Sequence, residues 1–271
     1  MKFSVWFCPF AAMALAACET IQTTQSGVVG VERQQSMSSL ISSSQMDRSA
    51  AQAYGQVVSE AGKKNQLNRD SAQLARVRRV ADRLIPSTAA FRADAPKWNW
   101  EVNVISSDEV NAWCMPGGKI AVYTGLLTKL NPTDEELAAV MGHEIAHALR
   151  EHGRERASEQ MAQQIGVSVL STALGLGDLG AQLTQTVLDV TLALPHSRTH
   201  ETEADRIGVE LAARSGYDPR AAVSLWQKMG NLGGSKPPEW MSTHPSDQTR
   251  IHDLQNYSDR VIPLYEAAHR R

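Results

Sequence analysis

An α+β fold, mainly helical with a small β-sheet ahead of a central helix, is what the sequence predicts. Three observations carry it. Apolar residues recur at helical spacing through most of the chain beyond Met46. Residues 98–106 read Trp-Asn-Trp-Glu-Val-Asn-Val-Ile-Ser, alternating at period two, and a second strand runs from Lys119 to Tyr123 after the turn Pro116-Gly117-Gly118. Directly after this sheet comes a helix with a distinct start and two histidines four residues apart, His143 and His147.

The 271 residues, 42% of them hydrophobic, suffice for a substantial core. The formal net charge is -2 and the basic residues are dispersed, so nothing argues electrostatically for nucleic acid. Arg76, Arg78, Arg79 and Arg83 cluster on one helix and read as a solvated face.

Met1-Lys2 precedes an uncharged apolar run, residues 3–17, too short to span a bilayer. Residues 1–17 read as a secretory signal. They end in Leu15-Ala16-Ala17-Cys18, which resembles the bacterial lipoprotein cleavage box, where the cysteine becomes the lipid-modified first residue. Cys18 is therefore the expected anchor. Glu19, in place of the aspartate that resembles an inner-membrane retention signal, points to the outer membrane and a periplasmic body. Cys114, flanked by Trp113 and Met115, is expected as a small apolar core residue, and no disulfide framework is available.

Residues 18–48 are rich in Ser, Gln and Thr, as expected of an anchor and tether. Val28, Val29, Val31, Met37, Leu40 and Ile41 nevertheless hint at a strand-like piece and a short helix that dock on the body. That body is expected over residues 49–258, with a tail over residues 259–271. Its first helix carries Ala50, Ala53, Tyr54, Val57 and Val58; Asn68 or Asp70 caps a second through Leu74, Val77, Val80, Ala81 and Leu84, which Pro86 ends. Residues 111–115 lie between the two strands and complete the sheet.

Thr133 with Glu136 three residues on makes a capping box for the histidine-bearing helix, with acidic residues at the positive end of its dipole. Leu137, Met141, Glu144, Ile145 and Ala148 form a stripe, and the two histidines lie to one side of it. His152, five residues beyond His147, is expected to point away from the pair. Residues 159–194 read as two amphipathic helices joined by a glycine-rich loop between Gly175 and Gly180, either a lid or part of a plain hairpin.

His143-Glu144-Ile145-Ala146-His147 puts two imidazoles on one helix face, where both reach a single metal ion. Glu144 stands beside the metal without binding it, which suits a general base, since a zinc-bound water has a pKa of about 7. After Pro195, Glu201, Ala204, Asp205, Gly208 and Leu211 share one helical face. Two carboxylates on a buried face need partners. One Zn2+ per chain held by His143, His147 and Glu201, with Asp205 accepting an imidazole N–H, supplies them. His200, on another face, and His196, outside the helix, are the competing ligands, and Glu203 is expected to face Arg206 and solvent. Arg150 and the position of His152 exclude the pattern His-Glu-x-x-His-x-x-Gly-x-x-His.

These segments, with Asn111-Ala112-Trp113, Pro116-Gly117-Gly118-Lys119, Ser197-Arg198 and Ser242-Thr243-His244-Pro245, resemble the HtpX and CAAX-prenyl-protease-type zinc metallopeptidases from about Tyr54 to Leu254. Within them the chain is similar to the periplasmic lipoprotein branch, BepA-like and LoiP-like, without transmembrane helices or a tetratricopeptide-repeat domain. The resemblance implies a zincin-like fold and endoproteolysis of unfolded or misassembled envelope proteins, near the machinery that assembles the outer membrane. It also implies that Asn111 and Ala112 hold the substrate backbone from an edge strand. His244 is left three roles: a donor to the oxyanion, a reversible further ligand that keeps the site shut, or a cap for the helix through Ile251 and Leu254. Arg250 is assigned to structure. The rival to a protease is a latent enzyme acting mainly as a chaperone or assembly adaptor.

Overall fold

The computed structural model describes residues 18–168, 179–232, 239–244 and 248–270. The glycine-rich loop expected between Gly175 and Gly180 lies largely outside the described residues, which omit 169–178, as does Pro245. A short antiparallel pair comes first among the described residues, β1 (Cys18–Ile21) with β2 (Gln35–Ser38). Helices α1 (Ser43–Lys63) and α2 (Ser71–Leu84) follow. Ser42 and Gln45 form a capping box on α1, and Asp70, not Asn68, caps α2 by accepting from Ala72 N and Gln73 N. Pro86 does stop the α-helix at Leu84, and the chain tightens into a 3-10 turn over Ile85–Ala90.

The sheet has three strands, β3 (Glu101–Ile105), β4 (Ala112–Met115) and β5 (Lys119–Tyr123), in the order β3-β5-β4, with β3 parallel and β4 antiparallel to β5. Trp98 and Trp100 fall outside β3 and stack on each other instead. The period of two sorts the side chains cleanly. Val102, Val104, Ala112, Cys114, Ile120 and Val122 join the main core, whereas Ile105, Trp113, Met115 and Ala121 join a second core under α1. Two-sided burial explains why β4 and β5 read as apolar runs.

Beyond α3 (Thr124–Lys129) come the central helix α4 (Asp134–Leu149), α5 (His152–Ser168), α6 (Leu179–Leu188), α7 (Arg198–Arg214), α8 (Ala221–Gly230), the short α9 (Glu239–Thr243) and α10 (Gln248–His269). The capping box of α4 is present in both directions: Glu136 N donates to Thr133 Oγ1 at 3.2 Å and Thr133 N to Glu136 Oε2 at 2.8 Å. Every residue from Glu136 to Leu149 is buried, because β4, α2, α7 and α8 pack around α4. A single apolar stripe was the expectation; a helix at the centre of the core has no free face. None of the helices among the described residues is long and apolar enough to cross a membrane.

The segment expected as a tether is packed onto the body. Val29, Val31, Met37 and Ile41 are buried, Val29 N donates to Glu210 Oε2 at 3.0 Å, and Gln35 Nε2 donates to the Arg150 carbonyl at 2.7 Å. The tail is likewise the end of α10, with Val261 fully buried. Three of the four clustered arginines are engaged by neighbouring chain, Arg76 with Asp134, Arg78 with the Val102 carbonyl and Arg83 with the Gly216 carbonyl.

The most extensive helix pair is α4 with α7, and the two backbones meet at glycines. A Cβ on Gly208 would lie 2.8 Å from His143 N, and one on Gly142 would lie 2.9 Å from the Gly208 carbonyl oxygen. An alanine inside a helix ordinarily gains up to about 1 kcal/mol over glycine, but overpacking against rigid backbone costs about 1–3 kcal/mol. Gly208→Ala is therefore expected to destabilise the fold by about 1–2 kcal/mol and to lower metal content. Denaturant midpoints with metal analysis check this, and an alanine variant as stable as the parent would show that the crossing is not tight.

Candidate active site

The α4 helix presents His143 and His147 one turn apart, with their Nε2 atoms 3.1 Å from each other. Ser197 caps α7 by accepting from His200 N, which sets Glu201 in the first turn facing the pair. Its carboxylate oxygens stand 3.4 Å from His147 Nε2 and 3.5 Å from His143 Nε2. His244 brings a fourth donor: one ligand atom from each of His143, His147, Glu201 and His244 lies within 4.8 Å of the others, and all four residues are buried.

Three features fit this group to a cation. A tetrahedral ion with bonds of about 2.0–2.1 Å spaces its ligand atoms roughly 3.3–3.4 Å apart, close to the distances above. Glu201 Oε1 and His244 Nε2 are buried with no hydrogen-bond partner among the described residues. Charge points the same way: Glu201 and Asp205 are two buried carboxylates sharing the guanidinium of Arg250, and a cation offsets the surplus. Asp205 Oδ1 accepts from His143 Nδ1 at 2.9 Å, so the bare lone pair of that ring is on Nε2, facing the group.

Arg250 does more than the structural task expected of it. It donates to Asp205 Oδ1 at 2.8 Å, pairs with Glu201 Oε2 at 2.7 Å and lies over the Trp226 ring. Burial alone would raise the Asp205 carboxyl, but the Arg250 charge and the His143 hydrogen bond hold it below its usual range. Burial wins at Glu201, which is pushed well up. It also lifts Glu144 to about 8, although Trp240 Nε1 donates to its Oε1 at 2.7 Å. Nothing in the pattern around Trp240 singled that residue out beforehand.

Two segments roof the site. His196 stacks between His147 and His244, and its N–H donates to the Thr243 carbonyl at 2.8 Å. In α9, Trp240 N donates to the Val110 carbonyl at 3.3 Å. Beside it, the Asn111 carbonyl accepts from Tyr123 N and Asn111 Oδ1 accepts from Ala112 N. Ala112 opens β4, which lies at the edge of the three-stranded sheet. His244 Nδ1 lies 3.0 Å from the Trp240 carbonyl and 3.0 Å from Thr243 Oγ1, and its Nε2 is 3.4 Å from Glu144 Oε1.

Two expectations fail next to the site. Glu203 does not face solvent and Arg206: it is 5% exposed and held by Arg33, Arg150 and His152, while Arg206 pairs with Asp253. The reason is Arg33, which the packed N-terminal segment delivers to that face. His152 does not point away either; its Nδ1 is 2.9 Å from His147 Nδ1. His200 pairs with Glu155 at 3.1 Å, outside the four-residue group, as is His196. Cys114 is buried as expected, and burial pushes its thiol up.

Burial holds five imidazoles, those of His143, His147, His152, His196 and His244, below their usual range, His152 at about 3. A depressed folded pKa gives stability that is full above the unfolded value, about 6.5, and is lost as pH falls below it. Glu144 and Glu201, raised, work in the opposite direction, but five groups outweigh two. The metal-free protein is expected to lose melting temperature steeply between about pH 6.5 and 5, each proton of difference counting about 1.4 kcal/mol per pH unit. A melting temperature that is flat or rising across that window would contradict the dry, neutral imidazole cluster.

Comparison with known proteins adds the family. The model of peptidase family M48 matches residues 71–258, more than half of the chain. The chain is 41% identical over 169 residues to the mitochondrial metalloendopeptidase OMA1 of Arabidopsis thaliana, covering 62% of this chain and 34% of that protein. It is 36% identical over 212 residues to OMA1 of Schizosaccharomyces pombe, covering 78% and 60%. Against the beta-barrel assembly-enhancing protease of Escherichia coli (strain K12) it is 30% identical over 182 residues, covering 64% and 37%. The chain thus spans about a third of the Arabidopsis relative's length. Helix α4 with its two histidines and α7 with Glu201 and Asp205 both lie inside the matched region, and the chain belongs to peptidase family M48.

Proposed function

We propose that the chain is a zinc metalloendopeptidase, with His143, His147 and Glu201 as the ligands of one Zn2+ and Glu144 as the general base. The observation that carries this reading is the convergence of two Nε2 atoms and an unpartnered carboxylate oxygen at tetrahedral spacing in a buried site. When bound, zinc supplies polarisation of the scissile carbonyl and acidification of water. Glu144 takes a proton from the attacking water and delivers it to the leaving amine nitrogen. Asp205 holds the His143 ring with Nε2 toward the ion, and Arg250 offsets the charge of Asp205 and Glu201.

Relatives named as metalloendopeptidases and as a beta-barrel assembly-enhancing protease support protein substrates. We assign misfolded or misassembled envelope proteins as that substrate class. The assignment to the periplasm at the outer membrane is supported by residues 1–17 and Cys18, read as signal and lipid anchor, and not by the relatives named as mitochondrial. Mass spectrometry of the membrane-extracted protein is expected to find an acylated Cys18 at its N-terminus, and a free Cys18 thiol would remove the anchor.

A second reading, a latent enzyme that binds chains and rarely cuts them, is favoured by one feature. Trp240 and His244 lie on Glu144, and the Glu144 carboxyl at about 8 is a protonated, covered base. A casein-cleavage assay with and without chelator separates the readings. Glu144→Gln is expected to keep its metal and lose about 10²–10⁴-fold in turnover; a variant that cuts at the parental rate sinks the assignment. His244→Ala raises turnover if His244 is a lock and lowers it if His244 donates to the oxyanion.

A further inference from the structure

The fold returns His152 to the metal group after helix α4 has ended. A continued helix would carry residue 152 to the far side from residue 147. Instead Arg150 closes α4, and Glu151 takes φ 52°, the left-handed region that disfavours a non-glycine residue. Arg92 and Ser43 hold the Glu151 side chain in that kink, with bonds of 2.7 and 3.0 Å. The chain restarts as α5 with His152 fully buried, its ring edge-on to His147.

The protons of this cluster have one consistent arrangement. His147 faces His143 and Glu201 through Nε2, so its proton is on Nδ1. That N–H donates to His152 Nδ1 at 2.9 Å, which makes His152 Nδ1 an acceptor and puts the His152 proton on Nε2. His152 Nε2 then donates to Glu203 Oε2 at 3.0 Å. Glu203 is fixed in turn by Arg33 Nε at 2.7 Å and Arg150 Nε at 3.2 Å. No donor is left facing a donor along this path.

We infer that His152 is the positioning residue of His147, the terminus of an imidazole–imidazole–carboxylate path that orients the second histidine as Asp205 orients the first. The inference rests on the metal reading above. His152, Glu155 and His200 also bring their donor atoms together, but that group is a pairing network and not a second ion site. Both Glu155 oxygens are taken by Arg33, at 2.6 and 2.8 Å, and Gln35 Nε2 donates to one of them at 2.8 Å. A cation there would sit against a guanidinium.

The two amides separate the halves of the path. An asparagine at 152 places its carbonyl oxygen where Nδ1 accepts from His147; a glutamine places its amide N–H where Nε2 donates to Glu203 and leaves His147 without an acceptor. Zn2+ affinity, read by competition with a chromogenic chelator, is expected to fall about 10–100-fold in His152→Gln and to stay within about threefold of the parent in His152→Asn. Melting of the metal-free proteins, recorded alongside, is expected to differ little between the two variants. Parental Zn2+ affinity in His152→Gln overturns the inference, as do equal losses in both variants that track metal-free stability, or a second zinc equivalent that His152→Asn abolishes. A parent that binds no Zn2+ at all overturns the metal reading itself, a result distinct from the others.

Discussion

The backbone contact between α4 and α7 is the constraint on which the site depends. Glycine at 142 and 208 lets the two helices meet atom to atom, so side chains one turn from the crossing converge instead of passing. Glu201 and Asp205 reach His143 and His147 only at that separation. The ligand distances follow from the helix spacing, and the spacing follows from two missing methyl groups.

A close crossing also makes the site dry, and dryness sets its electrostatics. Asp205 against Arg250 and Glu203 against His152 and Arg33 stay in the ionised range; Glu201, where burial outweighs Arg250, does not, nor does Glu144, whose donor among the described residues is a neutral indole. The same burial keeps the surrounding imidazoles neutral, the state in which a histidine offers a lone pair. The polar groups around the metal group are thus sorted by what lies beside them, not by residue type. Trp240 and His244 lie on Glu144, and His196 stacks on His244 in turn.

Much of this was legible beforehand where a local rule decides. The capping box at Thr133, the period-two sheet and the two helix faces, one with histidines and one with carboxylates four residues apart, depend on residues a few positions apart. Errors arose where the deciding partner is distant or the backbone departs from ideal geometry. Glu203 was turned to solvent because Arg33 stands 170 residues away, and His152 because a left-handed Glu151 cannot be read from helical spacing. Polar composition made residues 18–48 look like a tether, yet buried Val29, Val31 and Met37 are enough to fasten them. A few apolar side chains outweigh many polar ones when each polar group finds a bond.

Strand β1 pairs with β2 along its described length, Glu19 opposite Met37 and Ile21 opposite Gln35. A free tether of some thirty residues would let a body roam roughly 30 Å from its attachment point. With β1 hydrogen-bonded to β2 and Val29, Val31 and Met37 buried, the segment adds no such reach: it moves as part of the body.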